Sequence, residues 1–285
     1  MKLLSSKFLI MVLVGILVVL SALPITYGYD VKTTSTSSPS KPHLTPTATQ
    51  VEATAETTTE ATEVSYENSY ADIPFSRTED GAPVLGNPDA PITIIEFADF
   101  ACPFCQQYEP TMQAFIQQYV ATGRAKYEFR VLPTAGGEMT VFVGSMMSCF
   151  EDQRAGVFWP LHDALYAYAE AGQYDADMLK EVAHDYDLSY RDALSCAGDT
   201  TRPLQVETDI ALAHSLGVDG TPGIRVRYKD HNDEQAQYLI VDGKAWGAGG
   251  PALKMIGQAV EDAEAGNIPD AEITPDAPII SGEPV

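Results

Sequence analysis

The stretch LGNPDAPITIIEFADFACPFC, from Leu85 to Cys105, decides the class of the fold. Pro91 to Phe100 is a near-continuous run of β-branched and aromatic residues, the pattern of a strand buried on both faces. Cys102 and Pro103 then open a helical stretch to about Thr122. Pro103 suits a first turn, where no backbone N–H is needed, and Gly123 stands just past the end. Pro110 falls inside this helix and is expected to kink it by removing one backbone hydrogen bond. Lys126 to Leu132 alternates as a second strand, so the unit reads strand, helix, strand with a right-handed crossover.

Downstream the signals change. Val141 to Phe150, Val157 to Ala171, Ala176 to His184, Tyr190 to Ala197 and Pro203 to Leu216 all fit helical spacing, which makes a helical insertion at about 137–216. Ile224 to Tyr228 and Tyr238 to Val241 read as strands joined by a polar turn, and Pro251 to Ala265 as a closing helix. The expected order is βαβ, helices, ββα, an α/β fold.

The ends of the 285-residue chain are of another kind. Lys2 and Lys7 precede an uncharged apolar run from Phe8 to Leu23, and Thr26 and Gly28 put small residues where a signal peptidase would cut. We read 1–28 as an export signal, either cleaved or retained as a membrane anchor. A buried core helix is the bland alternative. Residues 29–71 are dominated by Thr, Ser, Pro and Ala with some Glu, a composition unable to bury enough apolar surface to fold. As a flexible stalk they would reach roughly 35 Å. Residues 267–285 read as an acidic, proline-rich disordered tail, which leaves 72–266 as the folded part. The 40 acidic against 17 basic residues, net charge −23, weigh against nucleic-acid partners held by counterion release.

The four cysteines carry the chemistry. Cys102 and Cys105 stand one helical turn apart, the first at the helix N-terminus, where free backbone N–H groups and the helix dipole stabilise a thiolate. Cys102 is the expected attacking sulfur and Cys105 the resolving one. A bare C-x-x-C is also half a zinc site or a structural disulfide. Zinc needs two further ligands, and Cys149 and Cys196 stand apart in two predicted helices. These two are read as a mutual disulfide, closing a loop of about 47 residues worth up to roughly 4 kcal/mol in the chain-entropy model. Two free buried thiols, or a second redox pair, remain as alternatives. His162 and His184, with acidic neighbours, are read as surface residues, and no His-x-x-x-His or Cys-His-Asn pattern suggests a metal site or a cysteine protease. No metal and no cofactor is expected.

Taken together, the 85–105 stretch, C-P-F-C at a helix start, a helical insertion and a later Thr221-Pro222 before a strand resemble the DsbA-type thioredoxin-like proteins, over nearly all of the folded part. These are exported thiol-disulfide oxidoreductases with a helical domain inserted in a thioredoxin fold. The resemblance implies that Cys102 is the nucleophile, Cys105 the buried resolving thiol, and Glu96 a buried acid beside the disulfide. It implies that Thr221-Pro222 is a cis-proline loop facing the cysteines, and that Pro103, Phe104, Thr221 and Pro222 contact substrate. Pro110 matches the kink of the active-site helix, and Cys149 with Cys196 looks like the additional pair of some members. An open-face glutamate at 96 and a trans turn at 221–222 are the bland alternatives. Gly223 departs from the bulkier residue usual in the family. So does Phe104, which stands where the strongest oxidants carry histidine, so a less depressed Cys102 pKa than theirs is expected.

Three functions are compatible with this reading. The first is a dithiol oxidase of exported proteins, reoxidised by a quinone-linked membrane thiol oxidase. The second is a reductase or isomerase using the same centre, fed by a membrane electron donor. The third is a tethered module that binds extended peptides, its cysteines forming a stable bridge. An extracytoplasmic monomer, membrane-anchored or secreted, is expected.

Overall fold

The computed structural model describes residues 70–201, 204–231, 235–269 and 279–281. The export signal and nearly all of the stalk lie outside the described residues. Among the described residues no helix is long and apolar enough to cross a membrane.

The chain opens with two short strands, β1 (Phe75–Arg77) and β2 (Pro83–Gly86), then β3 (Ile92–Ala98), α1 (Pro103–Phe115) ending in a π turn over Ile116–Val120, and β4 (Lys126–Val131). Five helices follow: α2 (Glu138–Gln153), α3 (Phe158–Glu170), α4 (Met178–Asp185), α5 (Tyr190–Ala197) and α6 (Gln205–Ser215). The chain then returns through β5 (Gly223–Tyr228), β6 (Gln237–Tyr238), β7 (Ile240–Val241), β8 (Lys244–Ala248) and α7 (Leu253–Glu264), and ends in β9 (Ile279–Ser281). The main sheet has the order β1-β2-β4-β3-β5-β6, with β3 parallel to β4 and antiparallel to β5. A second sheet has the order β7-β8-β9.

β3 is buried at every position because both of its faces are covered. Ile92, Ile94 and Ala98 join the larger core with α1, α3 and α7, whereas Ile95 and Phe97 pack with Ala213 of α6 and Val218. The two faces differ in chemistry. On the first, β4 contributes Tyr127, Phe129 and Val131 to an aromatic core with Phe100, Phe158 and Trp159. On the second, Glu128 and Arg130 lie buried in an ion-pair network. Arg130 reaches Asp80 at 2.7 Å, Glu128 at 2.7 Å and Asp209 of α6 at 3.0 Å, and Arg227 also pairs with Glu128. Removing Arg130 would strand the buried carboxylate of Asp209, which has no other basic partner in the network. The network therefore ties α6, the last of the inserted helices, to the sheet.

The order exceeds the expected one at both ends. β1 and β2 escape the sequence reading because three- and four-residue strands give too little periodicity. Lys244 to Ala248 lacks β-branched residues and forms β8 through its partners. The second of the two late strands divides: Gln237 and Tyr238 pair with β5, and Ile240 and Val241 with β8. The tail expected to be disordered is corrected at Ile279–Ser281, which lies parallel to β8.

The turn between β3 and α1 is held by Asp99, fully buried. Its Oδ1 accepts from the Ala101 N–H at 2.9 Å and the Thr140 hydroxyl at 2.6 Å; its Oδ2 accepts from the N–H groups of Thr134, Ala135 and Gly136 at 2.8, 2.7 and 2.9 Å. Gly136 belongs at this closure because a Cβ there would collide with the Thr140 hydroxyl and lie 2.9 Å from the Ala101 Cβ. Elsewhere Cys149 of α2 and Cys196 of α5 are bonded to each other. Asp99→Asn turns an acceptor oxygen into an NH2 group facing N–H donors. It should lower stability by about 3 kcal/mol in urea unfolding at unchanged slope. Replacing both Cys149 and Cys196 by serine should cost about 2–4 kcal/mol in the same measurement.

Candidate active site

Cys102 caps α1 in extended conformation (φ −76°, ψ 119°), with Pro103 in the first turn. The extended backbone turns the Cys102 side chain toward the free N–H groups of the first turn, and proline, lacking an N–H, fits there without loss. Both cysteines are free thiols: Cys102 retains 5% exposure, Cys105 none, and Phe104 between them is 51% exposed. The peptide bond Thr221-Pro222 is cis, and the Thr221 carbonyl oxygen lies 3.5 Å from Cys102 Sγ. The C-P-F-C turn and the loop before β5 are thus brought together across 119 residues of sequence. Gly223 is tight: a Cβ there would lie 2.5 Å from Val218 Cγ1.

The two thiols are driven apart in acidity. The Cys105 thiol, as donor to Cys102, is the largest influence holding the Cys102 thiol down, to about 5. The Thr221 hydroxyl and the backbone N–H groups of Cys105 and Phe104 add to it, against a partial burial that raises it. No cation takes part; oriented dipoles hold the charge, as at any helix N-terminus. Cys105 is pushed far up by burial first, then by its bond to Cys102 and the charge of Glu96.

Glu96 lies on the α1 face of β3, in the same alternation as Ile94 and Ala98, and is 1% exposed. The open-face alternative is therefore excluded. Burial pushes its carboxyl up to about 8, with the neighbouring Glu109 adding to the rise; the Tyr127 hydroxyl, donating to Oε2 at 2.5 Å, and His162 oppose it. His162 corrects the sequence reading, which placed it on the surface: it is fully buried against Phe129 at 4.8 Å and Tyr166 at 5.0 Å between ring centres. Helical phase puts it on the face of α3 that carries Phe158 and Tyr166, and the acidic neighbours that suggested exposure are its partners. Asp163 lies 3.1 Å and Glu109 3.9 Å from Nδ1. His184, by contrast, is exposed. Glu109, His162 and Asp163 offer ligand atoms within 4.8 Å of one another. Gln113 Nε2 donates to Glu109 and Asp163, and the Tyr70 hydroxyl to Asp163, so these carboxylates are already occupied.

Sequence reasoning missed two residues at this site. Asp99, three before Cys102, carried a turn-forming signal at a strand end. Thr134 carried none: its hydroxyl oxygen lies 2.5 Å from that of Thr221, a neighbour 87 residues away. For the reduced protein, thiolate absorbance should rise with a midpoint near pH 5 and vanish below it, since Cys102 is protonated there. The midpoint should disappear in Cys102→Ser, and Cys105 should contribute nothing below pH 9.

A family model described as Thioredoxin matches residues 78–240. Among curated proteins, 154 residues are 30% identical to the Na(+)/H(+) antiporter NhaA 3 of Salinispora tropica, covering 52% of this chain and 22% of that protein. Disulfide bond formation protein D of Bacillus subtilis is 27% identical over 158 residues, 52% of this chain and 69% of that one. Among solved structures, a thioredoxin-like oxidoreductase from Silicibacter pomeroyi aligns with a TM-score of 0.52 at 22% identity, covering 66% of this chain and 94% of that one. Wolbachia pipientis alpha-DsbA1 aligns at 0.51 and 21%, covering 65% and 92%. These last two share the fold. Since the model's match takes in more than half of the chain, from the hairpin before β3 to the strands after the cis proline, the protein belongs to the thioredoxin family.

Proposed function

We propose that the chain is an extracytoplasmic thiol-disulfide oxidoreductase of the DsbA type, acting on exported proteins chiefly as a dithiol oxidase. One observation carries the reading: a slightly exposed Cys102 at the N-terminus of α1, beside the cis-proline loop and one turn from a fully buried Cys105, a placement that draws the first thiol down and pushes the second up. A stabilised thiolate is a good leaving group and favours the reduced form of the enzyme, so the Cys102–Cys105 disulfide is an oxidant. Export rests on the leader, and a tether to the membrane on the stalk composition. A quinone-linked membrane thiol oxidase is the proposed electron acceptor.

In the reaction, a substrate thiolate attacks Cys102 Sγ; the Cys102–Cys105 bond breaks and the pair goes to Cys105 Sγ. Glu96, protonated below about pH 8, gives that sulfur a proton. The second substrate thiolate then attacks the substrate's own sulfur in the mixed disulfide. Cys102 leaves as a thiolate needing no proton, and the substrate is oxidised. At Thr221 and Pro222, beside Cys102, an extended substrate would pair with backbone, while the exposed Phe104 offers it an apolar contact.

A reduction potential measured against glutathione should lie above about −200 mV and be the same after both Cys149 and Cys196 become serine. A value at or below about −250 mV would move the assignment to a reductase. Peptide binding that survives conversion of both active-site cysteines to serine, without exchange in the parent, would leave only a binding module. In Glu96→Gln, the pH inflection near 8 in mixed-disulfide formation should vanish: the parent slows as Glu96 loses its proton above that pH, and the amide has none to lose.

A further inference from the structure

Thr134 stands on the loop after β4, with its N–H bound to Asp99 Oδ2 at 2.8 Å and its hydroxyl oxygen 2.5 Å from Thr221 Oγ1. Thr221 in turn lies beside Cys102, its carbonyl oxygen 3.5 Å from Sγ, and its hydroxyl is one of the groups that draw the Cys102 thiol down. A hydroxyl has one hydrogen to give and two lone pairs to receive with. If Thr221 gave its hydrogen to Thr134, none would remain for the sulfur. If Thr134 donates instead, Thr221 accepts and its own hydrogen is free. Beside an anion the second arrangement is favoured, because each donor polarises the next and the chain ends on negative charge.

We propose that Thr134 is a positioning residue of the redox centre, donating to Thr221 Oγ1 so that the Thr221 hydrogen is directed at the Cys102 sulfur. The proposal rests on the reading of Cys102 as the reacting sulfur. It assigns a purpose to the three backbone bonds from Asp99 to residues 134–136: they hold a donor at a fixed distance from a loop far away in sequence. The titratable groups around the sulfur are Cys105 on α1, Glu96 of β3 and Tyr166 of α3 behind Cys105, and Asp99 beneath the turn. None of these contacts Thr134 through its side-chain hydroxyl, whose partner is Thr221. The relay therefore adds to the dipoles of the helix start rather than duplicating them. In turnover it stabilises the thiolate that departs when oxidised substrate is released.

The test is the thiolate absorbance titration of the reduced protein, with disulfide exchange on a model dithiol peptide and urea unfolding measured alongside. Thr134→Val should raise the Cys102 midpoint by about half a unit to one unit, the loss of one modest hydrogen bond. Thr134→Ser should keep the parent midpoint. Thr221→Val should raise the midpoint at least as far, and the double variant should match Thr221→Val alone, because Thr134 acts only through Thr221. An unmoved midpoint in Thr134→Val, additivity in the double variant, or a serine variant that behaves like valine would overturn the relay. If valine disturbs the loop, seen as a lower urea midpoint, Thr134→Ala takes its place in the same comparison. A parent that fails to exchange disulfides would sink the functional reading, while the midpoints would still decide the relay.

Discussion

At the head of α1 the carboxylate of Asp99 binds three pieces of chain that are distant in sequence: its own turn at Ala101, the loop at 134–136, and Thr140 in the first turn of α2. A buried carboxylate is costly unless its lone pairs are filled, and here five donors fill them. The same bonds satisfy N–H groups that a tight turn and a loop would otherwise leave without partners. The position of Cys102 follows, since its own N–H closes onto the Asp99 carbonyl at 2.9 Å. So does the position of the loop that faces the residues before β5. The active-site geometry is thereby fixed by backbone hydrogen bonds to one side chain.

Around this point the sheet separates two kinds of interior. The α1 and α3 face is aromatic, and within it lie the buried Glu96, which accepts from the Tyr127 hydroxyl, and a small polar cluster of Glu109, His162, Asp163 and Gln113. In such a place burial dominates, and it pushes the Glu96 carboxyl up to about 8. The α6 face instead holds Glu128, Arg130 and Asp209 in mutual contact, where opposite charges compensate one another. One face thus tunes acidity while the other anchors the helical insertion. Neither arrangement needs a cation beside Cys102, whose charge is met by a thiol, a hydroxyl and two backbone N–H groups. This is why exposed Phe104 is compatible with a thiol held near 5.

Much of this was legible beforehand where a local pattern forces the outcome. The buried run Ile92 to Ala98, the cysteine-proline helix start and the helical spacings each reflect a period set by backbone geometry, so they read directly. His162 did not, because exposure was judged from its acidic neighbours rather than from its phase with Phe158 and Tyr166. β1, β2 and β8 did not, because strands of three to five residues owe their existence to a partner already in place. Ile279 to Ser281 was hidden in acidic, proline-rich composition for the same reason.

By itself the sequence determined the order of the longer elements, from the buried β3 through the inserted helices to β5 and α7, and that Cys102 sits where a helix begins, since these follow from side-chain periodicity and from the unpaired N–H groups every helix start presents. Tertiary structure alone decided how deeply Cys105 and Glu96 are buried, and that Thr221 and Thr134 converge on Cys102. Acidity and hydrogen bonding depend on what surrounds a group within a few ångströms. Those surroundings come from segments up to 119 residues apart, which no local pattern encodes.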